Sequence, residues 1–151
     1  MNSFRLELRT TSDRWPDFDG GELHRGLLFV DEVLQNEKYA ISYWDLARSA
    51  KEAGNFFILT CGCGVPECAR LDDPIAVVHD GNTISWRVTD PEPKRQFSFD
   101  RDKYKAEVLR FLREAQASVP RPQIPEDFAF GYYGFLPTDL DECVDLLESK
   151  K

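Results

Sequence analysis

Ile75-Ala76-Val77-Val78-His79-Asp80-Gly81-Asn82-Thr83-Ile84-Ser85-Trp86-Arg87-Val88 is the stretch that decides how this chain folds. Two apolar runs flank Asp80-Gly81-Asn82, and a two-residue Asp-Gly or Gly-Asn loop between such runs is a strong antiparallel hairpin signal. Side chains alternate along a strand. Either choice of loop therefore puts Ile75, Val77 and His79 on the same face as Ile84, Trp86 and Val88. That face is expected to be the core face.

Toward the N-terminus, Phe56-Phe57-Ile58-Leu59 is apolar on both faces, which predicts a central strand. Ser42 to Ala53 predicts a helix, with Ser42 as its cap, Asp45 three residues on, and Tyr43, Leu46, Ala47 and Ala50 on one face. Gly54 supplies a left-handed stop for it. Phe4 to Arg9 alternates apolar and charged residues and reads as a half-buried first strand. Residues 11–25, with Trp15-Pro16 and Gly20-Gly21, read as a loop, and Gly26 to Val30 as a short buried strand.

Toward the C-terminus, Asp90-Pro91-Glu92-Pro93 breaks the sheet, and Phe97-Ser98-Phe99 forms a short strand. Asp100 caps a long helix whose stripe is Tyr104, Val108, Phe111, Leu112, Ala115 and Val119, and Pro120-Arg121-Pro122 ends it. A last helix, about Thr138 to Glu148, turns Leu140, Cys143, Val144 and Leu147 inward. The fold class expected is α+β: one domain, 1–151, with a mainly antiparallel sheet packed by about three helices.

The 151 residues are 42% apolar, enough to bury a core without disulfides or metal. With 27 acidic against 19 basic residues the formal charge is −8, which repels nucleic acid and anionic membranes and leaves open a basic partner protein or a small cationic ligand. No stretch approaches the roughly 20 apolar residues that span a bilayer. The first residues show no basic segment followed by an apolar run, so neither a membrane span nor a signal peptide is expected. A cytoplasmic chain keeps its four cysteines reduced, metal-bound or reactive rather than disulfide-bonded.

Three of those cysteines lie between Leu59 and the hairpin, in Cys61-Gly62-Cys63-Gly64-Val65-Pro66-Glu67-Cys68. Thiolates and neutral imidazole are zinc ligands, and Cys61, Cys63, Cys68 and His79 make a candidate set of four. The opening C-x-C resembles those of SWIM-type and SEC-C zinc motifs, but Ala69 and Arg70 stand where such motifs place a closing ligand. Two other readings stay open. In one, the cysteines pack as small hydrophobes in a tight glycine turn, and a backbone carbonyl satisfies His79. In the other, the glycine amides stabilise a thiolate, and His24 or His79 serves as base in a cysteine-dependent enzyme.

Other constellations have plainer readings. Asp72-Asp73, Glu126-Asp127 and the group Asp139, Asp141, Glu142 and Asp145 read as a solvated face, in part favoured by the dipole of the last helix. Phe128 to Phe135 reads as a strand or core lid. Phosphate-binding glycine motifs, a G-x-S-x-G elbow and an H-E-x-x-H helix are absent from the sequence.

The run Phe56 to Ala69, with Thr60-Cys61-Gly62-Cys63-Gly64 and Cys68 at its centre, and the hairpin through Ser85-Trp86 resemble an uncharacterised bacterial family. That family carries an apolar strand, a TCxCGxxxCAG turn and a hairpin ending in Trp. The resemblance covers about residues 42–88, with Arg70 where the family's turn often has Gly. It implies a fold and no reaction. The function expected is a non-enzymatic binding or interaction domain, with an immunity-type protein directed at a basic partner as its specific form. The alternatives are a zinc-stabilised domain or an enzyme using the Cys61/Cys63/Cys68 turn.

Overall fold

The computed structural model describes residues 1–11, 23–37, 39–60, 71–118 and 137–149. In chain order these form β1 (Phe4–Thr11), β2 (Leu23–Val30), β3 (Val33–Leu34), β4 (Ala40–Ile41) and α1 (Tyr43–Lys51). There follow β5 (Gly54–Phe56), β6 (Leu59–Thr60), β7 (Ile75–Asp80), β8 (Thr83–Val88), β9 (Arg95–Asp100), α2 (Arg101–Ser118) and α3 (Pro137–Glu148). The described residues form an α+β fold in which every strand pair is antiparallel.

The hairpin forms as its sequence requires. Asp80 pairs with Thr83, so the loop is Gly81-Asn82, and Gly81 sits at φ +59°, in the left-handed region that favours glycine. Ile75, Val77, Ile84, Trp86 and Val88 are buried, and His79 is half-buried opposite Ile84. β9 extends the ladder beyond β8, and β5 extends it beyond β7, giving the order β5-β7-β8-β9.

Two expectations fail beside this sheet. The run Phe56 to Leu59 is not a central strand. Phe56 ends β5 at the sheet's edge, whereas Leu59 opens β6, which pairs with β4 in a separate two-stranded ladder. Between them the Ile58 carbonyl accepts the Ser42 N–H at 2.8 Å, at the start of α1. Phe56, Ile58 and Leu59 are all buried although Phe56 lies in an edge strand and Leu59 in a two-stranded ladder, so burial along the run does not mean a central position. Nor is Gly54 a helix stop. α1 ends at Lys51, with the extended Glu52 giving its N–H to the Arg48 carbonyl, and Gly54 is already in β5.

The N-terminal sheet, β1-β2-β3, is longer than expected. β1 runs to Thr11 and β2 starts at Leu23, both within the stretch read as loop. Asp31 and Glu32 turn the chain between β2 and β3 at φ 50° and 64°, as a tight hairpin of right-handed twist demands. Asp31 is held there by Asn2 Nδ2 at 2.6 Å and the Ser3 N–H at 2.8 Å, and these donors keep its carboxyl below the ordinary range. Where β3 ends, the wholly buried Asn36 takes over its ladder. Its carbonyl oxygen accepts the Leu28 N–H at 2.9 Å, and its amide donates to Gly26 O at 2.9 Å and Tyr39 O at 3.1 Å. Beside it Gly26 leaves room for Phe111 and Tyr43. A Cβ there would lie 2.9 Å from the Phe111 ring.

The outer edge of β1 is closed by side chains of α2. Glu107 accepts the Leu6 N–H and Arg110 donates to the Leu6 carbonyl, both at 2.7 Å. The two sheets meet at the chain's start. Asn2 pairs with Ser98 of β9 through its N–H at 2.7 Å and its side-chain oxygen at 2.9 Å. Just below, Phe4, Trp86, Phe99 and Tyr104 form a quartet in which every pair touches, with ring centroids between 4.4 and 6.0 Å. One aromatic each from β1, β8, β9 and α2 thus ties both sheets to the long helix.

The helices are capped as the sequence predicts. Ser42 Oγ accepts the Asp45 N–H at 3.4 Å, and Asp100 Oδ1 accepts the Lys103 N–H at 2.9 Å. Tyr104, Val108, Phe111, Leu112 and Ala115 are buried along α2, as are Leu140, Cys143 and Val144 on α3, while Leu147 is only partly so. Lys51, at the end of α1, donates to the carbonyls of Leu146 and Ser149 at the end of α3, where the helix dipole favours a cation. Val119, Pro120-Arg121-Pro122 and Phe128 to Phe135 lie outside the described residues.

Candidate functional site

His79 projects from the core face of β7 toward α1. Its Nε2 lies 2.8 Å from the Ser49 carbonyl oxygen. A carbonyl only accepts, so Nε2 carries a proton and donates it, and Nδ1 is the ring nitrogen left outside this bond. This is the backbone carbonyl partner that the plainer reading of His79 asks for. It is also the outer-shell bond that orients a metal-ligating histidine.

Around that contact runs a buried polar chain. Ser49 Oγ donates to the Leu46 carbonyl at 2.6 Å, so at its 2.7 Å contact with Tyr104 the phenol is the donor. Burial pushes the Tyr104 phenol well above its ordinary range, and Ser49 and the Trp86 indole oppose this only in part. The Trp86 N–H lies beside the phenol without meeting hydrogen-bond geometry. The hydroxyl of Ser49 is therefore spent on α1 and α2, and His79 reaches its carbonyl instead. Ser49 and His79 therefore do not form a nucleophile–base pair.

Cys61, Cys63 and Cys68 lie outside the described residues, as does the His24 side chain. What is described is where their segment attaches. The chain leaves β5 at Phe56, paired with Ile75, and rejoins the sheet at Ile75 itself, while His79 lies four residues further along, roughly 13 Å at strand rise. Among the described residues no three His, Cys, Asp or Glu side chains converge as a metal site.

The return of the segment is latched. One oxygen of Asp90 accepts both the Asp72 N–H, at 3.0 Å, and the Asp73 N–H, at 3.1 Å, and Thr89 Oγ1 reaches Asp73 at 3.4 Å. Asp72 and Asp73, read from the sequence as a solvated face, thus have a structural role through their backbone. Behind Asp90, Arg95 donates to the carbonyls of Pro91 and Pro93 at 2.7 and 2.6 Å and to Gln35 Oε1 at 3.0 Å.

A second surface opens at the first turn of α1. Tyr43, Leu46, Ala47 and Ala50 face the core, and Trp44 falls off that stripe with 39% of its surface exposed. Asp45, next to it, is half-buried, and no basic side chain pairs with it. Burial pushes its carboxyl up, offset in part by the Phe57 amide and by Arg48, whose guanidinium is committed to Glu52 at 3.1 Å. Sequence reading used Asp45 only as a cap partner and passed over Trp44. The available signal was a tryptophan at a polar helix position.

No protein-family model matches this chain, nor does any curated protein or solved structure.

Proposed function

We propose that this chain is a non-enzymatic binding domain of the cytoplasm whose partner is a basic protein, with neutralisation of a basic toxin as the specific case. The observation that supports it most is how the charge is distributed. Arg5, Arg9, Arg48, Arg110 and Arg113 each bridge to a glutamate of the same chain. Among the described residues the carboxylates of Asp72, Asp80, Glu92, Asp102, Glu142 and Asp145 have no such bridge. The bridges join five arginines to six glutamates and so leave the chain's formal charge of −8 in place, to act on what approaches it. No described helix is long and apolar enough to cross a membrane.

The test is retention on the immobilised protein at low salt, against an equally acidic control protein. Basic proteins should be enriched and should elute as salt rises through the range in which exposed charges are screened. Equal retention by the control overturns the reading.

A zinc-stabilised domain is the second reading, supported by the bond from His79 Nε2 to the Ser49 carbonyl, the kind of contact that orients a metal-ligating imidazole. Protein purified without chelator should then carry about one zinc per chain, as four ligands imply, and lose it in Cys63→Ser. Metal-free protein that is stably folded ends this reading.

A further inference from the structure

We propose that the outer face of the sheet β5-β7-β8-β9 is the contact surface for a second copy of this chain. The two faces stack with their strands reversed, so that Arg87 of one copy lies over the end of the face that carries Asp80 and Asp100 in the other. This contact is independent of the basic partner proposed above, for which Arg87 has the wrong charge.

The ladder register puts these residues on one surface. Val78, Ser85 and Ser98 pair across the sheet as its central row. Asp80 and Asp100 flank Thr83 in the row at one end, and Arg87 stands in the row at the other. Side chains alternate along a strand, so all of them lie on the face opposite Val77, Ile84, Trp86 and Phe99. That inner face is covered by α1 through the His79–Ser49 bond and by α2 through the aromatic quartet. On the outer face no residue of the three rows is buried, and Val78 at the centre is 55% exposed.

Arg87 gives the face its direction. Among the described side chains it is the one arginine with neither a hydrogen bond nor an ion pair, since every other holds a carboxylate or a carbonyl. A two-fold axis between the faces, running across the strands at the central row, sets Val78 on its own copy and Arg87 over Thr83, between two carboxylates. A two-fold axis along the strands sets like row on like row and gives Arg87 no acidic neighbour. Charge therefore selects the reversed arrangement. The face measures about 20 Å along its strands and about 19 Å across them, so two copies cover roughly 800 Å² in total. That is the size of a weak contact, and the charge of −8 on each copy keeps it weak.

The test is sedimentation equilibrium of the full chain from about 10 µM to about 1 mM, which should show monomer and dimer in exchange. In NMR spectra the amides of Val78, Ser85 and Arg87 should shift with concentration. Val78→Lys should abolish the dimer, while Val33→Lys, on exposed β3, should leave its Kd within about twofold. Arg87→Asp and Asp80→Arg should each weaken it about fivefold. The two exchanges in one chain should dimerise more tightly than either alone. A chain that stays monomeric up to about 1 mM overturns the contact, as does a dimer that Val78→Lys leaves intact. A double variant no tighter than the single ones overturns the reversed arrangement. Shifts of the same amides with an oligoglutamate peptide, and not with concentration, assign the face to an acidic partner and overturn the second copy as its occupant.

Discussion

The two larger sheets of this molecule are closed in different ways. In β5-β7-β8-β9 the ladders run backbone to backbone, and the turn at Gly81-Asn82 sets the register of the hairpin at its centre. In β1-β2-β3 the edges are completed by side chains. Asn36 stands in for the missing part of β3, and Glu107 and Arg110, about a hundred residues away along the chain, stand in for a strand beside β1. The first sheet is specified by local alternation and the second by groups that become meaningful only once the chain has folded. An amide or carboxylate satisfies a buried backbone group as well as another strand does, and it gives an approaching strand nothing to pair with.

The largest expected effect tests the hairpin sheet. Trp86→Ala removes one member of the aromatic quartet and should cost about 4 kcal/mol in urea unfolding. A cost under about 1 kcal/mol would mean that the quartet is not what ties the sheets to α2. Asn36→Ala strands a buried donor and acceptor of β2 and should cost about 2 to 3 kcal/mol. Hydrogen exchange in this variant should accelerate at Leu28 and leave β7 and β8 protected. Acceleration spread equally over both sheets would erase the contrast between them.

Glu107→Ala should cost about 1.5 kcal/mol, since the Leu6 N–H loses a charged acceptor, and Glu107→Gln should recover about half of that. If alanine and glutamine behave alike, the clamp acts through packing and not through its oxygen. The smallest effect is one of titration. Followed by NMR, the Asp31 carboxyl should titrate below the ordinary aspartate range, because the Ser3 N–H and Asn2 bind its charged form, and the Asp45 carboxyl above it, because burial disfavours the charge. The signs follow from linkage. The contribution of Asp31 is present above its unfolded pKa and lost as pH falls through the folded value. Asp45, with its pKa raised, opposes folding once pH rises above its unfolded value. Reversed order of the two would remove the hydrogen-bonded turn and the half-buried carboxylate as causes.

The same contrast explains what could be read in advance. The hairpin facing, the Ser42 and Asp100 caps and the stripes of α1 and α2 all follow from spacing within a few residues, and the structure shows each of them. Gly54 misled because a glycine after a helical stretch carries the same signal whether it ends the helix or opens a strand. Phe56 to Leu59 misled because burial on both sides does not say which sheet provides it. Asn36, Glu107 and Arg110 gave no signal, since nothing local marks a polar residue that will meet a distant backbone. At the candidate site, a carbonyl partner for His79 was foreseen but not that Ser49 supplies it. Trp44 and Asp45 stood in plain view, at positions where the helical pattern asks only for polarity.

The Asp90 carboxylate, closed on the amides of Asp72 and Asp73, has a consequence for how this chain can vary. On one side of residues 61–70 the chain is held by the pairing of Thr60 with Ala40, and on the other by that carboxylate. Both borders of that interval are tied to the frame: the departure through backbone pairing, which no single side chain supplies, and the return through one carboxylate, so the return is the border that exchange of one residue, Asp90, releases.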